Sequence, residues 1–196
     1  METLITLGRT LGFSLGAGVN LYATVAILGL ASHFGWVSLP PQFRAFDNPY
    51  IIGGALMMYV IEFVADKIPW VDTAWDVIHT AIRPLGGALV AVAALGDASP
   101  TTKAIVALMG ATVAASSHFT KAGTRAVANT SPEPFSNWIL SLGEDGFVVA
   151  LVLLTLRHPI AALVVALLVL FLLVVFARLL VKGIRRLFGK QHVRAR

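Results

Sequence analysis

The chain has 196 residues, of which 57% are hydrophobic and only 13% charged, with a mean hydropathy of +0.82. A soluble domain carries about a quarter charged residues, so this composition excludes an ordinary water-soluble fold and sets the surplus apolar surface against lipid. There is no cysteine, which excludes disulfides and thiolate metal sites.

The net charge of +5 is concentrated at one end. Seven of the fifteen basic residues, Arg178, Lys182, Arg185, Arg186, Lys190, Arg194 and Arg196, lie in the last nineteen positions. A basic run directly after an apolar span marks a cytoplasmic end beside anionic lipid. Anionic lipid, not nucleic acid, is the expected partner of that tail. The opening Met1-Glu2-Thr3 lacks the basic start of a cleaved signal peptide, and the apolar stretch runs on past Leu30, so it reads as a retained helix.

In chain order, six apolar spans are expected, at about residues 4–33, 50–66, 72–96, 102–125, 135–156 and 159–181. Each is near the ~20 residues that cross a bilayer, and helices satisfy their own backbone groups there. The first holds Gly8, Gly12 and Gly16 at four-residue spacing, a face that lets another backbone approach and that suits an oligomer contact. Pro84-Leu85-Gly86-Gly87 leaves open whether the third span is full or re-entrant. Asn129 to Pro134 carries two prolines and is a loop. The expected fold is therefore an all-α polytopic membrane bundle over residues 1–182 with a basic cytoplasmic tail over 183–196. It belongs in the bacterial inner membrane with both termini cytoplasmic.

The middle four spans carry polar stripes. Glu62 and Asp66 are four apart; Asp72, Asp76, His79 and Arg83 follow at four, three and four; His118, Lys121 and Arg125 recur at three and four. Asn137, Ser141 and Asp145 are spaced by four, with Glu144 adjacent. Such residues share a helix face, and polar faces within a bilayer are best turned toward one another. Glu144 and Asp145 lie about 14 Å into their span, near the middle of the apolar core. A charge there costs about 2.5–3.5 kcal/mol, so partners, protons or water are required. Arg83, His79 and His118 are the expected partners, while Asp66, Lys67, Asp72, Lys121 and Arg125 read as helix-end markers.

Spans two and three can be laid beside spans four and five. Gly54-Ala55, Glu62-Phe63 and Pro69 align with Gly110-Ala111, His118-Phe119 and Pro134, the pattern of a duplicated helix pair.

Asn20 in its glycine-rich span, Asp66-Lys67-Ile68-Pro69-Trp70-Val71-Asp72, His79-Thr80-Ala81-Ile82-Arg83-Pro84 and Asn129-Thr130-Ser131-Pro132-Glu133-Pro134 resemble the bacterial family called domain of unknown function 4126. The resemblance covers nearly the whole chain. It implies a membrane location and carries over no activity or catalytic residue.

Three functions remain open. A transporter or channel would use Glu62, Asp76, His79, Arg83, His118, Lys121, Glu144 and Asp145 as an ion or solute pathway, with no cofactor. A lipid-headgroup enzyme would hold a divalent cation between Asp72 and Asp76, completed by Glu62, Asp66 and Glu144. A scaffold would use the charges only as pairs.

Overall fold

A computed structural model describes residues 1–130 and 135–189. Among them are only helices: α1 (Glu2–Val19), α2 (Leu21–His33), a 3-10 turn (Pro41–Ala45), α3 (Pro49–Ala65), α4 (Pro69–Leu95), α5 (Pro100–Ala128), α6 (Phe135–Arg157) and α7 (Pro159–Gly189). α3, α4, α5 and α7 each open on a proline, whose fixed φ suits the first helical position and whose missing N–H costs nothing there. Asn48 and Ser99 cap α3 and α5 by accepting backbone N–H groups. α4 ends at Gly96, with φ of 79°, a conformation that glycine adopts without strain.

Three helices, Pro69–Leu95, Phe135–Arg157 and Pro159–Leu179, are long and apolar enough to cross a membrane, and they point to a membrane protein. The outer surface agrees. Large apolar side chains such as Leu89, Leu108, Ile139, Val164 and Phe171 are exposed, an arrangement that water would penalise and lipid would not.

The first expected span is not one helix. α1 stops at Val19 and α2 starts at Leu21, because Asn20 is extended (φ −146°, ψ 100°). The chain folds back there, as side chains on both arms show. Thr24 lies beside Gly16, although a straight helix would hold them two turns apart. Gly8 packs on the carbonyl of Pro159 at the α6–α7 turn. At the far end of α2, Gly29 meets Ile52 at the start of α3. The connection between them binds the same end of the bundle, with Arg9 donating to the Ser38 carbonyl at 3.2 Å and Gln42 to Asp97 at 2.9 Å. Both arms of α1–α2 thus rise from the end that carries the α4–α5 and α6–α7 turns. Asn20 is the apex, inside the bundle.

This corrects the expected topology. The start of α1 and the end of α7 lie at opposite ends of the bundle, so six crossings with both termini on one side do not describe it. α4, by contrast, runs unbroken through Pro84; the element that reverses within the bundle is the first, not the third. The two helix pairs read as a duplication, α3–α4 and α5–α6, turn at the same end and each is loosely packed within itself, and the structure adds nothing further for a repeat. α7 continues past residue 182 to Gly189, and residues 190–196 lie outside the described residues. The missing cysteines allow a direct check. Single cysteines placed at Thr3 and Lys182 should react with an impermeant maleimide from opposite faces of oriented vesicles; labelling from one face would restore the even count.

α1 is the centre, packed by α4, α5, α6 and α7. Its glycine stripe is used within the chain: Gly12 sits on Thr155, Gly16 on Val152 and Gly18 on Ala114 and Ser117. The face expected to mediate an oligomer is therefore covered by this chain's own helices. Ser14 donates to the Gly87 carbonyl at 3.2 Å and Ser117 to the Leu15 carbonyl at 3.1 Å, tying α1 to both α4 and α5.

Candidate functional site

The polar stripes of α3, α4, α5 and α6 do converge, at the half of the bundle nearer the α3–α4 turn. Glu62, Asp66, Asp72, Asp76, His79, Arg83, His118, Lys121, Arg125, Asn137, Ser141 and Asp145 are all buried. Their charges alternate. Arg83 Nη2 donates to Glu62 Oε1 at 2.6 Å, and Lys121 Nζ bridges Glu62 at 3.1 Å and Asp66 at 3.0 Å. Arg125 Nη2 then joins Asp66 at 2.9 Å to Glu144 at 2.7 Å. The chain Arg83–Glu62–Lys121–Asp66–Arg125–Glu144 runs plus, minus, plus, minus, plus, minus, so each buried charge has an opposite neighbour, the condition under which burial is tolerated.

Asp66, Lys121 and Arg125, whose positions also suited helix-end markers, are inside the network. Arg125 also donates to the Asp66 carbonyl at 2.8 Å and the Asn137 carbonyl at 3.4 Å, fastening α5 to the α3–α4 turn and to α6. Asn129 completes that fastening through Asp72 Oδ2 at 2.8 Å and Asn137 at 2.7 Å. Of the loop motifs, Pro69 starts α4 and Lys67 lies in the α3–α4 turn. Ser131, Pro132, Glu133 and Pro134 lie outside the described residues.

The pairing differs from that expected in three respects. Arg83 does not reach Glu144 or Asp145; it takes Glu62, with Asp76 at 3.5 Å. The adjacent acids Glu144 and Asp145 part, since neighbours on a helix point about 100° apart. Glu144 turns to Arg125, whereas Asp145 accepts from Asn20 Nδ2 at 3.0 Å. Asp72 and Asp76 do not share a cation, for one is held by Asn129 and the other faces Arg83. Among the described residues no three His, Asp or Glu side chains converge as metal ligands.

The histidines take opposite tautomers. His118 Nδ1 lies 2.8 Å from Arg83 Nη1, which can only donate, so Nδ1 accepts and Nε2–H donates to Thr80 Oγ1 at 3.1 Å. His79 Nδ1 lies 2.7 Å from the Trp75 carbonyl and must donate, leaving Nε2 for the Tyr22 hydroxyl at 2.9 Å. His118 is therefore locked against arginine, while His79 faces the hairpin.

That hairpin lies within what spacing and hydropathy present as one continuous first span. Asn20 accepts from the Ala23 N–H at 2.9 Å, which caps α2, and donates to Asp145. The Gly18 carbonyl reaches Arg83 Nη1 at 3.5 Å. The available signal was Asn20 itself, a strong cap residue between Gly18 and an apolar run. A groove of about 460 Å³ between α5, α6 and α7 has Lys121 and Glu144 on its floor and apolar walls that include Leu15, Ile139 and Leu173. It connects the ion chain laterally to the apolar surface.

Residues 7–179 match the family described as Domain of unknown function (DUF4126). No curated protein and no solved structure matches the chain.

Proposed function

The chain belongs to that family, whose description assigns no activity, and we propose from the site itself that it is a membrane transport protein for an ion or small polar solute. The observation that carries this reading is the helix break. An unwound residue deep in a membrane bundle, flanked by a half-helix on either side and facing a buried carboxylate, is the device by which membrane helices offer backbone groups to a solute. Here Asn20 supplies the break, Asp145 the carboxylate, and the chain from Arg83 to Glu144 the polar wall. His79 and Tyr22 join the hairpin to that wall. The protein would work in the bacterial inner membrane, with its basic C-terminal run on anionic lipid.

The test is flux into proteoliposomes holding the purified chain, read with an internal pH dye and a panel of cations and anions. Wild-type flux, reduced at least ~10-fold in Asp145→Asn while the variant still elutes as a folded protein, is the expected result for a residue on the pathway. Flux that Asp145→Asn and Glu62→Gln leave intact would remove the site from any pathway.

A second reading is favoured by the alternating charges themselves. A chain so evenly paired suits a static scaffold, in which ions fix the helix register and nothing passes. Folded protein without flux of any ion would select it.

A further inference from the structure

Within the ion chain every charge has an opposite neighbour, but Asp72, Asp76 and Asp145 are left over. Asp72 has Asn129, with Arg125 at 3.9 Å, and Asp76 has Arg83 at 3.5 Å. Asp145 is different. It is 7% exposed, stands mid-helix in α6, and makes no ion pair among the described residues. Its Oδ1 accepts from Asn20, and its Oδ2 is buried without a hydrogen-bond partner. An ionised carboxylate in that position lacks one positive charge.

The oxygen atoms beside it are of the right kind to help hold one. Because the helix breaks at Asn20, Leu21 and Tyr22 no longer donate to the turn below, and Ala23 donates to the Asn20 side chain instead. The carbonyls of Ala17, Gly18 and Val19 end α1 at this break, next in the chain to Asn20, whose side chain holds Asp145; the Gly18 carbonyl also receives Arg83 Nη1 at 3.5 Å. Tyr59 also interacts with Asp145.

One cation of the protein waits nearby. Lys67 Nζ donates to the Phe63 carbonyl at 2.8 Å and to Ser141 Oγ at 3.3 Å, and rests 3.0 Å from the Phe63 ring centroid, with no carboxylate in ion-pair range among the described residues. Ser141 is one helical turn from Asp145 on the same face of α6. The unpaired ammonium and the unpaired carboxylate are thus separated by a single turn.

We infer that Asp145, with the helix break at Asn20, binds a monovalent alkali cation, and that Lys67 is the tethered competitor for the same carboxylate. One carboxylate with neutral oxygens forms an electrically neutral complex with a monovalent ion, whereas divalent sites draw on several charged ligands. When Lys67 swings one turn to Asp145 the ion is displaced; when it rests on Phe63 the carboxylate is free. The inference names the cargo class for the transport reading and rests on that reading for its physiological role, but binding can be measured without it.

The experiment is a thermal-stability titration of the full chain in detergent, with LiCl, NaCl and KCl set against choline chloride at constant ionic strength. A ligand that binds the folded state raises Tm with its concentration. The expected result is a rise with an alkali ion and none with choline, lost in Asp145→Asn. In Lys67→Met the half-saturating concentration should fall about tenfold, a modest part of the Coulomb effect of one removed charge. Equal response to choline, stabilisation that persists in Asp145→Asn, or stability that follows pH alone would overturn the site. Should Asp145→Asn fail to fold, an unchanged half-saturation in Lys67→Met still overturns the competitor. Alkali-dependent stabilisation without flux would leave this site standing and remove the transport reading. Flux of an anion or neutral solute without alkali dependence would do the reverse.

Discussion

Replacing Arg83 with leucine is expected to destabilise the folded protein by about 3–5 kcal/mol, the usual cost of stripping one partner from a buried ion pair. Arg83 and Glu62 are both fully buried. The change leaves Asp76 without its cation and the His118 Nδ1 without its donor. Glu62 would retain Lys121 alone, already shared with Asp66. Arg83→Lys should recover little, because a single ammonium cannot reproduce a planar fork that reaches Glu62, Asp76 and His118 together. The double variant Arg83→Met with Glu62→Met should recover a substantial part of the loss, since no charge is then stranded between them. Chemical or thermal denaturation in detergent measures all three. A loss under about 1 kcal/mol for Arg83→Leu would mean that the cluster behaves as a hydrated surface pair.

The second large effect is expected at Asn20, which has two tasks. Asn20→Ala removes the α2 cap, worth about 1 kcal/mol. It also removes the Asn20 hydrogen bond to Asp145, worth about 1.5–3 kcal/mol for a bond to a charged group. Transport should fall further than stability, because the substitution empties the apex as well as loosening it. Asn20→Asp separates the tasks. It keeps an oxygen for the Ala23 N–H but sets a carboxylate against Asp145, so it should be less stable than Asn20→Ala despite its intact cap. If Asn20→Asp proved the more stable, the cap would be the whole role of Asn20. Denaturation midpoints and proteoliposome flux, measured on the same preparations, decide this.

Much of the site was legible because helical spacing is a strong constraint. Residues three and four apart must share a face, and charged faces must hide from lipid, so the meeting of Glu62, Arg83, Lys121 and Asp145 in one interior followed from position alone. Their pairing did not. Which acid meets which base depends on helix rotation and separation, and sequence spacing contains neither; Glu144 and Asp145, adjacent in the chain, serve different neighbours for that reason. The family assignment was legible in its loop motifs. Missed most clearly was the reversal at Asn20. The stretch from Leu4 to His33 is predominantly apolar and holds no proline, and hydropathy has no term for a single residue in an extended conformation. Pro84 and its glycines drew attention to the wrong helix: a proline costs one hydrogen bond, to the Thr80 carbonyl, and α4 continues through it to Leu95.

The central position of α1 has a consequence in time as well as in space. It is synthesised before the helices that bury it, α4, α5, α6 and α7; Gly8 meets Pro159, and Gly12 meets Thr155. At a ribosomal rate of about 5–20 residues per second, the opening hairpin waits roughly ten seconds or more for its last neighbour. During that interval Thr10, Ser14, Asn20 and Thr24, all buried in the finished protein, stand without their final surroundings. The later helices therefore close around an earlier one, and synthesis that stopped before α7 would leave the α7-facing side of α1 uncovered.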